Sequence, residues 1–223
     1  MRVIAGAARG RPLDAPRSEH TRPTADKVKG AIFSMLEAEA YRRGYSPTVD
    51  ADDETVYAAA ACWPRVLELY AGSGALSIEA LSRGAAHADF VESDREARST
   101  IAANLKRTRL DAHAQVHNLD SRRVASTWAR PFDLLLLDPP YDEPDVPVLL
   151  GQIAERNVAA EGAVTVWEHA SSLEPPAQIG ASPAAPRWVH ARTNTHGAAA
   201  ISLYFLEPPE SASTGDHPES SHN

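Results

Sequence analysis

A chain of 223 residues, 43% hydrophobic and 23% charged, carries enough apolar material for one globular domain with a small appendage. Its longest unbroken apolar run, Val56 to Trp63, is eight residues, far short of the roughly 20 that cross a bilayer, and its single cysteine, Cys62, excludes an internal disulfide and a cysteine-only metal site. The net charge of -8 is uneven: residues 1 to 45 hold nine Lys/Arg against five Asp/Glu, and residues 131 to 223 hold three against thirteen, which favours a localised contact with a polyanion over a uniformly basic face.

Residues 1 to 17 alternate small, apolar and basic side chains around the turn Ala8-Arg9-Gly10-Arg11 and predict an exposed basic hairpin or extended arm. Arg9 and Arg11 also stand where a secretory signal keeps its apolar stretch, so a cytoplasmic protein is expected. After Thr24, the spacing of Val28, Ala31, Ile32, Met35 and Leu36 predicts an amphipathic helix that Gly44 stops. Residues 44 to 62, with Pro47, an acidic run and an alanine tract, read as a surface insertion.

From Arg65 onward, short apolar runs alternate with helical patterns, the signature of a parallel sheet. Phe132–Leu137 is apolar on both faces and belongs at mid-sheet. Residues 174 to 187 read as loop, and the two last strands as a hairpin that ends the sheet antiparallel. Residues 207 to 223 contain no Val, Ile, Leu, Met or aromatic side chain and are expected to be disordered.

Two stretches carry chemistry. Gly72 and Gly74 follow a strand and open a helix, which lets backbone approach a ligand and aims amide groups at it. Ser77 stands where a dinucleotide fingerprint has its third glycine, and no phosphate-loop lysine follows, so nicotinamide and ATP readings weaken. Glu92, twenty residues past Gly72, occupies the place of a ribose-binding carboxylate. Immediately after the central strand, Asp138-Pro139-Pro140-Tyr141 makes a rigid turn rich in acceptors. An exocyclic base amine is a poor nucleophile because its lone pair is conjugated into the ring. The Asp138 carboxylate and Pro139 carbonyl can accept its hydrogens, and the Tyr141 ring can stack on the base.

Over residues 2 to 206 the chain resembles the RsmD family of 16S ribosomal RNA guanine-N2 methyltransferases, class I enzymes dependent on S-adenosylmethionine. The resemblance rests on RVIAGAARGR, TRPTADKVK, LYAGSGALSIEALSRGA, FVESD, DPPY and a closing SLY. It implies a Rossmann-like α/β fold with a mostly parallel seven-stranded sheet and an antiparallel last strand. The implied divisions are an N-terminal β-hairpin arm over 1–20, a catalytic domain over 21–206 and a tail over 207–223. It further implies that Glu68, Tyr70, Ala71, Gly72, Ser73, Gly74, Glu92, Ser93, Asp120, Ser121 and Thr24 hold S-adenosyl-L-methionine, with Asp120 accepting the adenine amine. Asp138, Pro139, Pro140 and Tyr141 then present the target amine, and Arg2, Arg9, Arg11, Arg17, Arg22, Lys27 and Lys29 contact RNA. The partner would be 16S rRNA or a small-subunit assembly intermediate, met by a monomer without metal. Thr195-His196-Gly197 departs from a segment that is usually more basic, and His196 reads as structural or solvated. An adenine-N6 methyltransferase and a catalytically idle RNA-binding protein are the competing readings. Asp138 in place of asparagine points away from protein-glutamine methylation.

Overall fold

The computed structural model describes residues 1–16, 26–45, 48–49, 55–56, 58–126, 128, 131–180, 182 and 184–209. The expected helix is α1 (Asp26–Arg42), with Val28, Ile32, Phe33, Met35 and Leu36 buried. In the insertion, β1 (Thr48–Val49) pairs antiparallel with β2 (Thr55–Val56), and a 3-10 helix spans Ala58–Cys62. Ala60 and Trp63 join the same buried cluster as α1, so the end of the insertion belongs to the core, contrary to its reading as wholly surface.

The central sheet then builds in alternation: β3 (Arg65–Leu69), α2 (Ala75–Ser82), β4 (His87–Glu92), α3 (Arg95–Thr108), β5 (Ala114–Asn118), β6 (Phe132–Leu137), α4 (Val146–Glu155) and β7 (Ala159–Ala170). Three strands close it: β8 (Gln178–Ile179), β9 (Arg187–His196) and β10 (Ala199–Glu207). The spatial order is β5-β4-β3-β6-β7-β10-β9-β8. The first five are parallel, and β10 runs antiparallel to both β7 and β9. The sheet thus has the expected Rossmann-like form plus an eighth strand, β8, inside the stretch that reads as loop. Two residues of pairing carry no periodic signal, which is why it was not legible.

Helices cover both faces. Leu134 and Leu136 of β6 pack in one cluster with α1, α2 and α3, and Leu135 and Leu137 in the other with α4, which is why that strand has no polar alternation. Helix α3 is capped by Asp94, whose side chain accepts from the Ala97 N–H at 2.7 Å, with Lys106 and Arg107 in the last turn where the helix dipole favours cations.

The N-terminal segment is not an exposed arm. A single antiparallel bridge joins Arg2 and Pro12, but Val3, Ala8 and Leu13 are buried in the helix-covered core. Glu79 of α2 secures it: Oε2 accepts from the Ile4 N–H at 2.8 Å and Oε1 from the Ala5 N–H at 2.9 Å. Ser82 Oγ accepts from the Ala8 N–H and donates to the Ala5 carbonyl. Gly6 sits at φ +79, and a Cβ there would fall 1.8 Å from the Ser82 carbonyl oxygen, so only glycine permits this approach. Lys29 is fully buried, 3.1 Å from Glu79 Oε2, and donates to the Arg2 carbonyl. It therefore cannot reach an RNA phosphate, and its assignment as an RNA contact is corrected. An amphipathic helix reads as if its lysines were solvated; the buried partner 50 positions away was invisible to that pattern.

Candidate active site

The cleft lies at the carboxyl ends of the strands, where the order turns outward on either side of β3 and β6, the place where open α/β sheets hold ligands. Its volume is about 740 Å³.

On the β3 side, Tyr70 leaves the strand at φ +56, with its N–H on Ser121 Oγ at 3.1 Å. Gly72 follows at φ +52 and Gly74 at φ +73 caps α2. A Cβ on Gly74 would press on Phe90 and Ile101 at 3.0 and 3.3 Å, so this turn requires glycine twice over. Ser77 stands in the place of a third glycine, and its N–H donates to buried Glu68 Oε2 at 2.9 Å. The Glu92 carboxylate bridges two loops: Oε2 accepts from the Gly72 N–H and Oε1 from the Asp94 N–H, each at 2.8 Å. Each oxygen keeps a further lone pair for a ligand hydroxyl. Asp120 is paired bidentately by Arg122, with Nη2 at 2.7 Å from Oδ2, and this guanidinium holds its carboxyl below the usual carboxylate range.

Burial pushes Glu68 up to about 8 from the usual 4.5, with the negative charge of Asp138 a smaller push in the same direction. A folded value above the unfolded one means that the native state binds the extra proton. The stability it contributes is complete below about 4.5 and is lost as pH rises through about 8. Glu68→Gln should flatten that decline. Denaturant titrations at pH 5 and pH 8.5 should show wild-type stability falling by up to a few kcal/mol more than that of the variant.

On the other side stands the turn after β6. Asp138 is half-buried, Pro139 buried, and Pro140 and Tyr141 exposed, with the Pro140 carbonyl accepting from the Glu143 N–H at 3.0 Å. The cleft brings together Glu68, Tyr70, Ala71, Gly72, Ser73, Glu92, Ser93, Asp120, Ser121 and the whole Asp138–Tyr141 turn. Gly74 lies behind it as the helix cap. Thr24, Arg17 and Arg22 fall outside the described residues, as do residues 210–223 of the tail.

Of the remaining basic set, Arg2, Arg9 and Lys27 are exposed, and half-buried Arg11 donates to the Arg107 carbonyl. The N-terminal segment also contributes to the cleft. Pro16 lines it, and buried Asn104 of α3 accepts from the Asp14 N–H while donating to the carbonyls of Asp14 and Ser73. That ties the segment to the glycine loop.

Several lining residues were missed by sequence reading: Val28, Arg122, Glu143, Glu168 and His196. Glu168 had a usable signal, a carboxylate at the end of an otherwise apolar strand. His196 had none, since only the β9–β10 hairpin brings it here.

A half-parallel sheet in this order, a glycine loop facing a ribose-type carboxylate, and an acceptor-lined Asp-Pro-Pro-Tyr turn across one cleft define a methyltransferase of the Rossmann-like class. The family described as "Conserved hypothetical protein 95" matches residues 1–205, and the chain belongs to it, the RsmD family of the sequence resemblance. "Putative rRNA methyltransferase YlbH" of Bacillus subtilis (strain 168) is 37% identical over 207 residues, covering 92% of this chain and 98% of that protein. "Ribosomal RNA small subunit methyltransferase D" of Escherichia coli (strain K12) is 34% identical over 142 residues, 63% of this chain and 60% of that protein. Among solved structures, "Putative methyltransferase yhhF from Escherichia coli" superimposes with a TM-score of 0.68 at 28% identity, covering 93% of this chain and 98% of that one. Among the described residues, no helix is long and apolar enough to cross a membrane.

Proposed function

We propose that the protein transfers a methyl group from S-adenosylmethionine to the exocyclic N2 amine of a guanine in small-subunit (16S) rRNA. The observation that carries this reading is the Asp138-Pro139-Pro140-Tyr141 turn on the same cleft as the Gly72 loop. The names of the relatives, an rRNA methyltransferase and a small-subunit rRNA methyltransferase, support the substrate class.

The cleft also fits the donor. The Glu92 oxygens, which accept from the Gly72 and Asp94 N–H groups, would also receive ribose hydroxyls, the Gly72–Gly74 backbone would border the methionine moiety, and the buried Tyr70 hydroxyl has no hydrogen-bond partner among the described residues. When bound, S-adenosylmethionine supplies an electrophilic methyl group on a sulfonium. The protein's own residues prepare the acceptor. The Asp138 carboxylate and Pro139 carbonyl hold the amine hydrogens and turn its lone pair out of conjugation. Tyr141 stacks on the ring. Asp138 would receive, directly or through water, the proton that the amine gives up on methylation.

Exposed Arg2, Arg9 and Lys27, with Arg11, Arg17 and Arg22, supply the phosphate contacts on an otherwise acidic body. The substrate is 16S rRNA, free or in an assembling subunit, and the site is cytoplasmic. Incubating the protein with S-adenosylmethionine and unmodified 16S rRNA should give N2-methylguanosine at one position in nucleoside mass mapping. N6-methyladenosine in its place would transfer the assignment to the adenine reading.

A further inference from the structure

We infer that Glu168 and His196 form the base-reading wall of the cleft, with Glu168 accepting the N1–H and His196 donating to O6 of the guanine whose N2 is methylated. This inference rests on the functional reading above and gives it a means of selecting guanine over adenine.

Cross-strand partners share a face of the sheet, and the register carries one face from strand to strand. Glu68 pairs with Leu136 of β6, and Leu136 with Val166 of β7. Two residues further along each strand come Asp138 and Glu168. Glu168 pairs with Ile201 of β10, and two residues before Ile201, Ala199 pairs with His196 of β9. Asp138, Glu168 and His196 therefore follow one another across a single face at a single edge, and all three line the cleft. Asp138 follows β6, and Glu168 and His196 stand on the far side of β6 from the glycine loop, Glu92 and Asp120, so the donor's residues do not overlap them.

The Watson–Crick edge of guanine presents N2 amine, N1–H and O6 in that order, two donors followed by an acceptor. The sheet presents Asp138, a second carboxylate and an imidazole in the matching order. Glu168 is only 6% exposed, and its carboxylate has enough lone pairs to receive an N1–H alongside other interactions. His196 Nε2 is buried without a hydrogen-bond partner among the described residues. Such an atom is costly in water-excluded surroundings unless something fills its bond. In the tautomer protonated at Nε2 it donates to O6. Adenine fails both contacts: its N1 offers a lone pair to a carboxylate, and its N6 amine offers hydrogens to a donor. Rejection by unpaired polar groups is the strong form of specificity.

The test uses full-length protein and two RNAs that differ at the mapped target, guanine in one and 2-aminopurine in the other. 2-Aminopurine keeps the N2 amine but lacks both the N1–H and O6. Wild type should prefer guanine by at least about 100-fold in kcat/KM. Glu168→Ala and His196→Ala should each lose at least about tenfold on guanine while remaining within about threefold of wild type on 2-aminopurine, with S-adenosylmethionine affinity by calorimetry unchanged. Equal use of both RNAs by wild type overturns the proposal without recourse to any variant. So does a variant that loses activity on both in proportion, because that marks a general structural effect. A wild type that methylates the N2 amine of neither RNA fails the functional reading itself, a result distinct from both.

Discussion

Asp138→Ala should lower methyl transfer by about 100-fold or more while leaving S-adenosylmethionine affinity unchanged. The carboxylate is at the start of a turn in which Pro139 and Pro140 have no N–H and a fixed φ, so the turn holds it rigidly at the cleft. Removing one preorganised hydrogen-bonding group from a reacting centre costs about 10²- to 10³-fold in other enzymes. Asp138 stands across the cleft from the Glu92 and Gly72 contacts, so the donor's hold is untouched. Single-turnover transfer and calorimetry on the same preparation separate the two effects. An alanine variant within tenfold of wild type would mean that the amine is oriented by other groups.

Glu79→Ala should be the most destabilising single change away from the cleft, by about 3 to 5 kcal/mol. This carboxylate is fully buried and receives Lys29, Arg83 and the Ile4 and Ala5 N–H groups. Its removal leaves the buried Lys29 ammonium without its carboxylate and two backbone donors unmatched, and takes one acidic partner from Arg83, which also pairs with Glu37. The N-terminal segment should then detach, and cofactor affinity should fall with it, since Asn104 links that segment to the Ser73 carbonyl. Glu79→Gln, which keeps the shape and one acceptor oxygen, should lose less. Urea unfolding of the three proteins gives the ranking; near-equal stabilities of Ala variant and wild type would mean that the ion cluster is replaceable by water.

What was legible in the sequence followed from periodicity and from punctuation. The strand Phe132–Leu137, the helix after Thr24 and the glycine loop declared themselves because burial on both faces, on one stripe or in a tight turn each leaves a local mark. Glu92 and Asp138 were legible for the same reason, standing at fixed offsets from such marks. What local pattern could not carry was pairing at a distance. Lys29 looks like a solvated helical lysine until α2 brings Glu79 against it. The first 16 residues look like a basic arm because their arginines are conspicuous, while the residues that dock them, Val3, Ala5, Ala8 and Leu13, are small or sparse. His196 joins the cleft only through the register of β9 against β10.

The docking of the first 16 residues also sets an order of events during synthesis. Their partners, Glu79, Ser82 and Asn104, lie 74 to 90 positions downstream. At translation rates of about 5 to 20 residues per second, the N-terminus waits on the order of ten seconds before α3 has left the ribosome. Until then Val3 and Leu13 have only part of their cluster to pack against, and before α2 is made Gly6 has no carbonyl to approach. This segment is made well before the residues that dock it, so closure of the wall that includes Pro16 waits on α3 and can precede the emergence of β6 to β10.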